Sequence, residues 1–105
     1  MEINVKGTDL ELTDALRVYV DEKIAPLGKF FGKIDTSPLY VDIELARTTR
    51  HHRHGNVFKA DVTIRAPQKT LKASAEGEDI RAAIDIVKDK LHLEIKKYKE
   101  THPDL

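Results

Sequence analysis

The segment Glu78–Lys99, EDIRAAIDIVKDKLHLEIKKYK, constrains the fold of this chain more than any other stretch. Ile80, Ile84, Val87, Leu91, Ile95 and Tyr98 recur at spacings of three and four. At about 100° per residue they share one side of a helix. Such a helix is marginal alone and needs a surface to dock on. Burying each of these side chains is worth roughly 1.5–3 kcal/mol before entropy is charged. Beside the apolar stripe runs a second one, Arg81, Lys88, His92, Lys96 and Lys99, interrupted by Asp85. At 1.5 Å per residue it extends about 27 Å, long enough to follow several phosphates. Lys90 and Lys97 fall on the opposite flank with Glu94. Lysines near a helix C-terminus also complement the helix dipole, and charge runs are usually just solvated. On pattern alone the solvated face is the favoured reading of the strip.

The rest of the chain supplies the docking surface. Glu2–Lys6 alternates, with Ile3 and Val5 to one side, and reads as a short strand. Thr13 is a helix cap with Asp14 in the first turn. Leu16, Val20, Ile24, Leu27 and Phe31 then follow helical periodicity. Pro26 lies within it, and the missing N–H predicts a kink or an end near Ala25. Leu39–Ala46 and Phe58–Ala66 alternate as half-buried strands around the segment Thr48–Gly55. Pro67-Gln68-Lys69 is a turn, and Leu71, Ala73 and Ala75 mark a fourth strand. The order is β-α-β-β-β-α, an α+β fold: a four-stranded sheet with both helices on its one apolar face. The first helix joins strands one and two, which predicts a parallel pair with a right-handed crossover.

Size and composition limit function. The 105 residues suffice for one domain with one core. No apolar run approaches the ~20 residues of a membrane span, and MEINVKGTDL lacks the order of a signal peptide. The chain has no cysteine, so disulfides and thiolate sites are excluded; a cytoplasmic location is the default expectation. Lys and Arg total 18 and Asp and Glu 18, for zero net charge. A nucleic-acid-binding domain usually has a pI above ~9, so binding would depend on where charge is placed.

Candidate chemistry is sparse. The run RTTRHHRHG carries Arg50 and Arg53 with His51, His52 and His54. Without cysteine support or an HExxH helix, a metal site is the weakest reading of the histidines. A basic finger touching RNA and a solvated hairpin loop both remain open. Ser37 and Ser74 lack an activating motif, and the glycines are too scattered to cradle a phosphate. Glu78 and Asp79 read as helix-start charges rather than an acid–base pair. Nothing indicates an enzyme, a metal or a cofactor.

Three segments carry a family resemblance: MEINVKGTDLELTDALRVYVDEKIAPL, LKASAEGEDIRAAIDIVKDKL and the IKKYK ending. Together they resemble the ribosome hibernation-promoting factors. These are also called ribosome-associated inhibitors or ribosomal subunit interface proteins, and some bear the older name of sigma-factor modulation proteins. The resemblance covers nearly the whole chain. It implies a fold like a double-stranded-RNA-binding domain with an extra leading strand. It also implies binding to rRNA of the small ribosomal subunit, in the channel for mRNA and tRNA, with translation inhibited under stress or in stationary phase. The matching basic positions are Arg17 and Lys23 on the first helix and Lys90, Lys97 and Lys99 on the second. The strip adds Lys88 and Lys96, and the basic run adds Arg50 and Arg53. Family members commonly carry a basic residue two positions after the DKL leucine, where this chain has Leu93 followed by Glu94. Long members continue into a second domain that pairs ribosomes. Residues 1–105 match the first domain, a short form expected to be monomeric. A general double-stranded-RNA-binding module and a protein-interaction module acting on a transcription factor are the alternative readings.

Overall fold

The computed structural model describes residues 1–32, 39–48 and 57–101. Strand β1 (Glu2–Thr8) leads into helix α1 (Asp14–Ile24), followed by a 3-10 segment (Ala25–Phe31). Strands β2 (Tyr40–Arg47), β3 (Phe58–Ala66) and β4 (Lys69–Gly77) follow, and helix α2 (Ile80–Thr101) ends the described chain. The sheet order is β1-β2-β3-β4. β1 and β2 are parallel, with Val5 opposite Ile43; the other pairings are antiparallel, with Ile43 opposite Val62 and Val62 opposite Ala73. This is the β-α-β-β-β-α order expected from the alternation pattern.

Both helices cover the same sheet face. Val41, Ile43, Leu45, Ala60, Val62, Ile64, Leu71 and Ala75 point inward and form one core with Leu16, Val20 and Ile24 of α1. All six residues of the α2 stripe are buried in that core, and Ala83 joins them. The outer sheet face is polar and largely self-neutralising. Arg65 pairs with Asp42 at 2.8 Å and Lys59 with Asp61 at 3.6 Å. The hydroxyls of Thr8 and Ser74 donate to Glu44 and Asp61.

Local chemistry sets the helix ends. The Thr13 hydroxyl accepts from the Leu16 N–H at 3.1 Å, and Asp79 Oδ1 accepts from the Ala82 N–H at 2.8 Å. Both are side-chain caps on otherwise unpartnered donors. Pro26 ends the α-helix at Ile24, but the chain tightens into a 3-10 turn instead of leaving the core. Leu27 and Phe31 therefore stay buried. Gly32, at φ 66°, closes the segment in a conformation that side chains disfavour. At the other junction, a Cβ on Gly77 would stand 2.8 Å from the Ala83 nitrogen and 3.0 Å from the Asp79 oxygen. Strand β4 can turn into α2 that tightly only because no side chain is present.

Candidate nucleic-acid interface

The α1–3-10 arm and α2 run side by side in the same direction. Contacts step along both: Tyr19 with Asp85, Phe30 with His92, Phe31 with Tyr98. The two N-terminal ends thus share one end of the helix layer and the two C-terminal ends the other. Glu11, Asp14, Glu78 and Asp79 gather at or before the first end, while Lys29, Lys96, Lys97 and Lys99 belong to the second, with Glu94 and Glu100 among them. The layer is thus acidic at its first end and mixed, with more lysine than acid, at its second.

Between the two arms lies a groove. The Tyr19 hydroxyl donates to Asp85 Oδ1 at 2.6 Å, and Lys23 Nζ stands 3.7 Å from the same oxygen. Lys23 and Arg81 also approach the Tyr19 ring, at 5.4 and 5.3 Å from its centroid. The hydrogen bond to Asp85, with a lesser contribution from burial and the carboxylate's charge, raises the Tyr19 hydroxyl above its ordinary pKa of 10.0. The acid that interrupts the basic stripe is thus the clasp that joins α1 to α2. Farther along, Phe30 and His92 stack across the groove with centroids 4.3 Å apart and planes 27° apart. On one side of this stack the groove is lined by Glu22, Lys23, Lys29, Lys88 and Asp89; on the other, by Ile95, Lys96, Lys99 and Glu100.

The residues expected to bind RNA separate into distinct places. Lys23, Lys88, Lys96 and Lys99 line this groove. Lys90 and Lys97 lie on the other flank of α2, over β4 with Lys72. There Lys90 Nζ donates to the Ser74 carbonyl at 2.8 Å and Lys97 stands 4.0 Å from Glu94. Arg17 is exposed on α1; two residues before Tyr19, it points about 200° away from the groove side. Arg50 and Arg53 lie outside the described residues, as do His51, His52 and His54. Leu93 is 61% exposed and lines the β4-side flank with Lys90 and Lys97.

Lys96 and Lys99 make no ion pair with another described residue, whereas Lys88 lies 3.6 Å from Asp89. Sequence reasoning did not single out Lys29, Phe30 and Tyr19 for the site. Their membership depends on how the arms pair, although the doubled Phe30-Phe31, one half-buried and one fully buried, was a visible signal. Among the described residues no group of His, Asp and Glu is arranged to hold a metal, and no helix is long and apolar enough to cross a membrane.

Known proteins with the same pattern are related to ribosomes by name. The chain is 34% identical over 99 residues to the ribosome hibernation promotion factor of Lactococcus lactis subsp. cremoris, covering 94% of this chain but only 50% of that protein. It is 35% identical over 100 residues to the ribosome hibernation promoting factor of Azotobacter vinelandii, covering 95% of this chain and 84% of the relative. The fold matches the Thermus thermophilus Protein Y N-terminal domain with a TM-score of 0.74 and 26% identity, covering 93% of this chain and 99% of that domain. The model of the family described as Sigma 54 modulation protein / S30EA ribosomal protein matches residues 3–102, and the chain belongs to that family.

Proposed function

We propose that this protein is a ribosome hibernation factor that binds the small ribosomal subunit through rRNA. It occupies space needed by mRNA and tRNA and so holds translation off under stress or in stationary phase. The action is steric: lysines neutralise phosphates and position the domain, and its body blocks the channel. The observation that carries this reading is the groove, where two parallel arms direct Lys23, Lys29, Lys88, Lys96 and Lys99 into one strip. The relatives' names and the family support it.

Phosphate neutralisation makes affinity depend on salt. Five cations engaged give a fall of roughly 100- to 500-fold between 50 and 200 mM salt. Co-sedimentation with purified small subunits measures this. Lys96→Glu with Lys99→Glu should abolish binding at the higher salt, while Lys90→Glu with Lys97→Glu should weaken it less, because that pair lies on the other flank and is already engaged. Salt-independent binding, or full binding by the Lys96/Lys99 variant, refutes the mechanism.

A further inference from the structure

Phe30 packs against the edge of the core without being buried in it, and its ring also stacks on His92 at the groove. Phe31 enters the core and is 1% exposed; Phe30, its neighbour, stays half-buried at the groove with its ring on His92. Lys29 Nζ stands 5.3 Å from the Phe30 centroid. Beside the stack is a cleft of about 330 Å³, lined by Phe30, His92, Ile95, Lys96, Lys99 and Glu100. That volume is at the lower end of the range for small-molecule sites.

We infer that this cleft binds one unstacked nucleotide, its base against Phe30 and His92 and its phosphate on Lys96 and Lys99. The inference rests on the rRNA-binding reading above and names what that site grips at one point. The chemistry is complementary on each side. With one Phe30 face on His92 and Lys29 near its ring, the exposed His92 ring offers the π surface a base can use; buried Ile95 gives an apolar floor, and two lysines without an ion pair to any described residue stand at the rim. Glu100 supplies an acceptor for a base amino group. The opposite side of the stack is less suited, since Glu22 and Asp89 both line it. Phosphates along a duplex would need the lysines alone; the aromatic pair adds a grip that only an exposed base can use. That base can come from an unpaired position in rRNA or from a free nucleotide.

Two measurements on the intact protein separate these sources. In subunit co-sedimentation, Phe30→Leu keeps apolar bulk but removes the ring. If the base belongs to rRNA, affinity drops about 5- to 150-fold, the range for one stacked base, with an unchanged salt slope. Phe30→Tyr keeps the ring and binds as the parent does, and matching thermal melts of the Leu variant and the parent exclude a mere folding defect. In NMR titration, AMP shifts the His92 ring and Ile95 methyl signals, while ribose 5-phosphate and inorganic phosphate leave them in place. A response to AMP with unchanged subunit binding by Phe30→Leu assigns the cleft to a free nucleotide. Unchanged binding by Phe30→Leu together with no AMP response overturns the inference. The Lys96→Glu, Lys99→Glu variant is run alongside. If it still binds subunits fully, the rRNA reading fails and the AMP arm alone decides the cleft. If it loses binding while both tests of the cleft are negative, the rRNA reading stands and the cleft is refuted.

Discussion

Replacing Tyr98 by Phe removes a single oxygen at the base of the proposed interface. The Tyr98 side chain is 0% exposed, and its hydroxyl donates to the Pro67 carbonyl at 2.7 Å. Its ring tilts against Phe31 with centroids 5.8 Å apart. The hydrogen bond ties the last turns of α2, which carry Lys96 and Lys99, to the β3–β4 turn. Phe keeps the ring contacts, and the half-buried Pro67 carbonyl can recover a water. The expected loss is therefore that of one net hydrogen bond, about 0.5–1.5 kcal/mol. At 4–8 °C per kcal/mol for a domain near this size, Tm falls by roughly 2–12 °C. Tyr98→Ala also empties the ring's volume and should cost about 3–5 kcal/mol. Urea unfolding of the three proteins gives the comparison, and m should be unchanged for the Phe variant, since the same surface is exposed on unfolding. A Phe variant as stable as the parent, or as unstable as the Ala variant, refutes the tether.

Other outcomes follow from the helix junctions and the clasp. Gly77→Ala forces a methyl against backbone at 2.8 Å and should destabilise by about 1–3 kcal/mol in chemical denaturation. Asp85→Asn removes the acid from the basic strip and releases Lys23, so small-subunit affinity should rise a few-fold at low salt while thermal stability falls; weaker binding by a folded variant would contradict this. Tyr19 holds its proton more tightly when folded, so the stability it contributes is complete below about pH 10 and is lost as pH rises through its raised value. Tyr19→Phe should flatten that alkaline limb and remove a late-titrating component from the tyrosinate absorbance titration.

The elements were legible where one face of a segment is buried. The α2 stripe and the alternation in β2 and β3 encode burial directly, residue by residue, so all six stripe positions and the strand faces could be read. Pro26 was legible as a break but not in its sequel: the 3-10 turn depends on Leu27 and Phe31 finding the core, which is a tertiary gain. The site was less legible for the same reason. Helical spacing placed Lys88, His92, Lys96 and Lys99 on one face, but nothing local indicates that Lys23, Lys29 and Phe30 stand across from them. Asp85 looked like a flaw in a basic strip because its partners Tyr19 and Lys23 lie more than sixty residues away in sequence. The resemblance selected Lys90 and Lys97 together with Lys99, and the fold puts them on different flanks.

The separation of charge along the helix layer bears on how the protein meets a partner. With 18 positive and 18 negative side chains it has no monopole to draw it toward RNA from afar. The helix layer keeps a dipole of its own, and its field weakens faster with distance than that of a net charge. Near a polyanion it acts as a torque, turning the lysine-bearing end forward and the acidic end away. Screening over about 8 Å at physiological ionic strength confines this turning to the final approach. The helix layer would then discriminate little between polyanions at a distance and lead with its lysine end only in a close encounter.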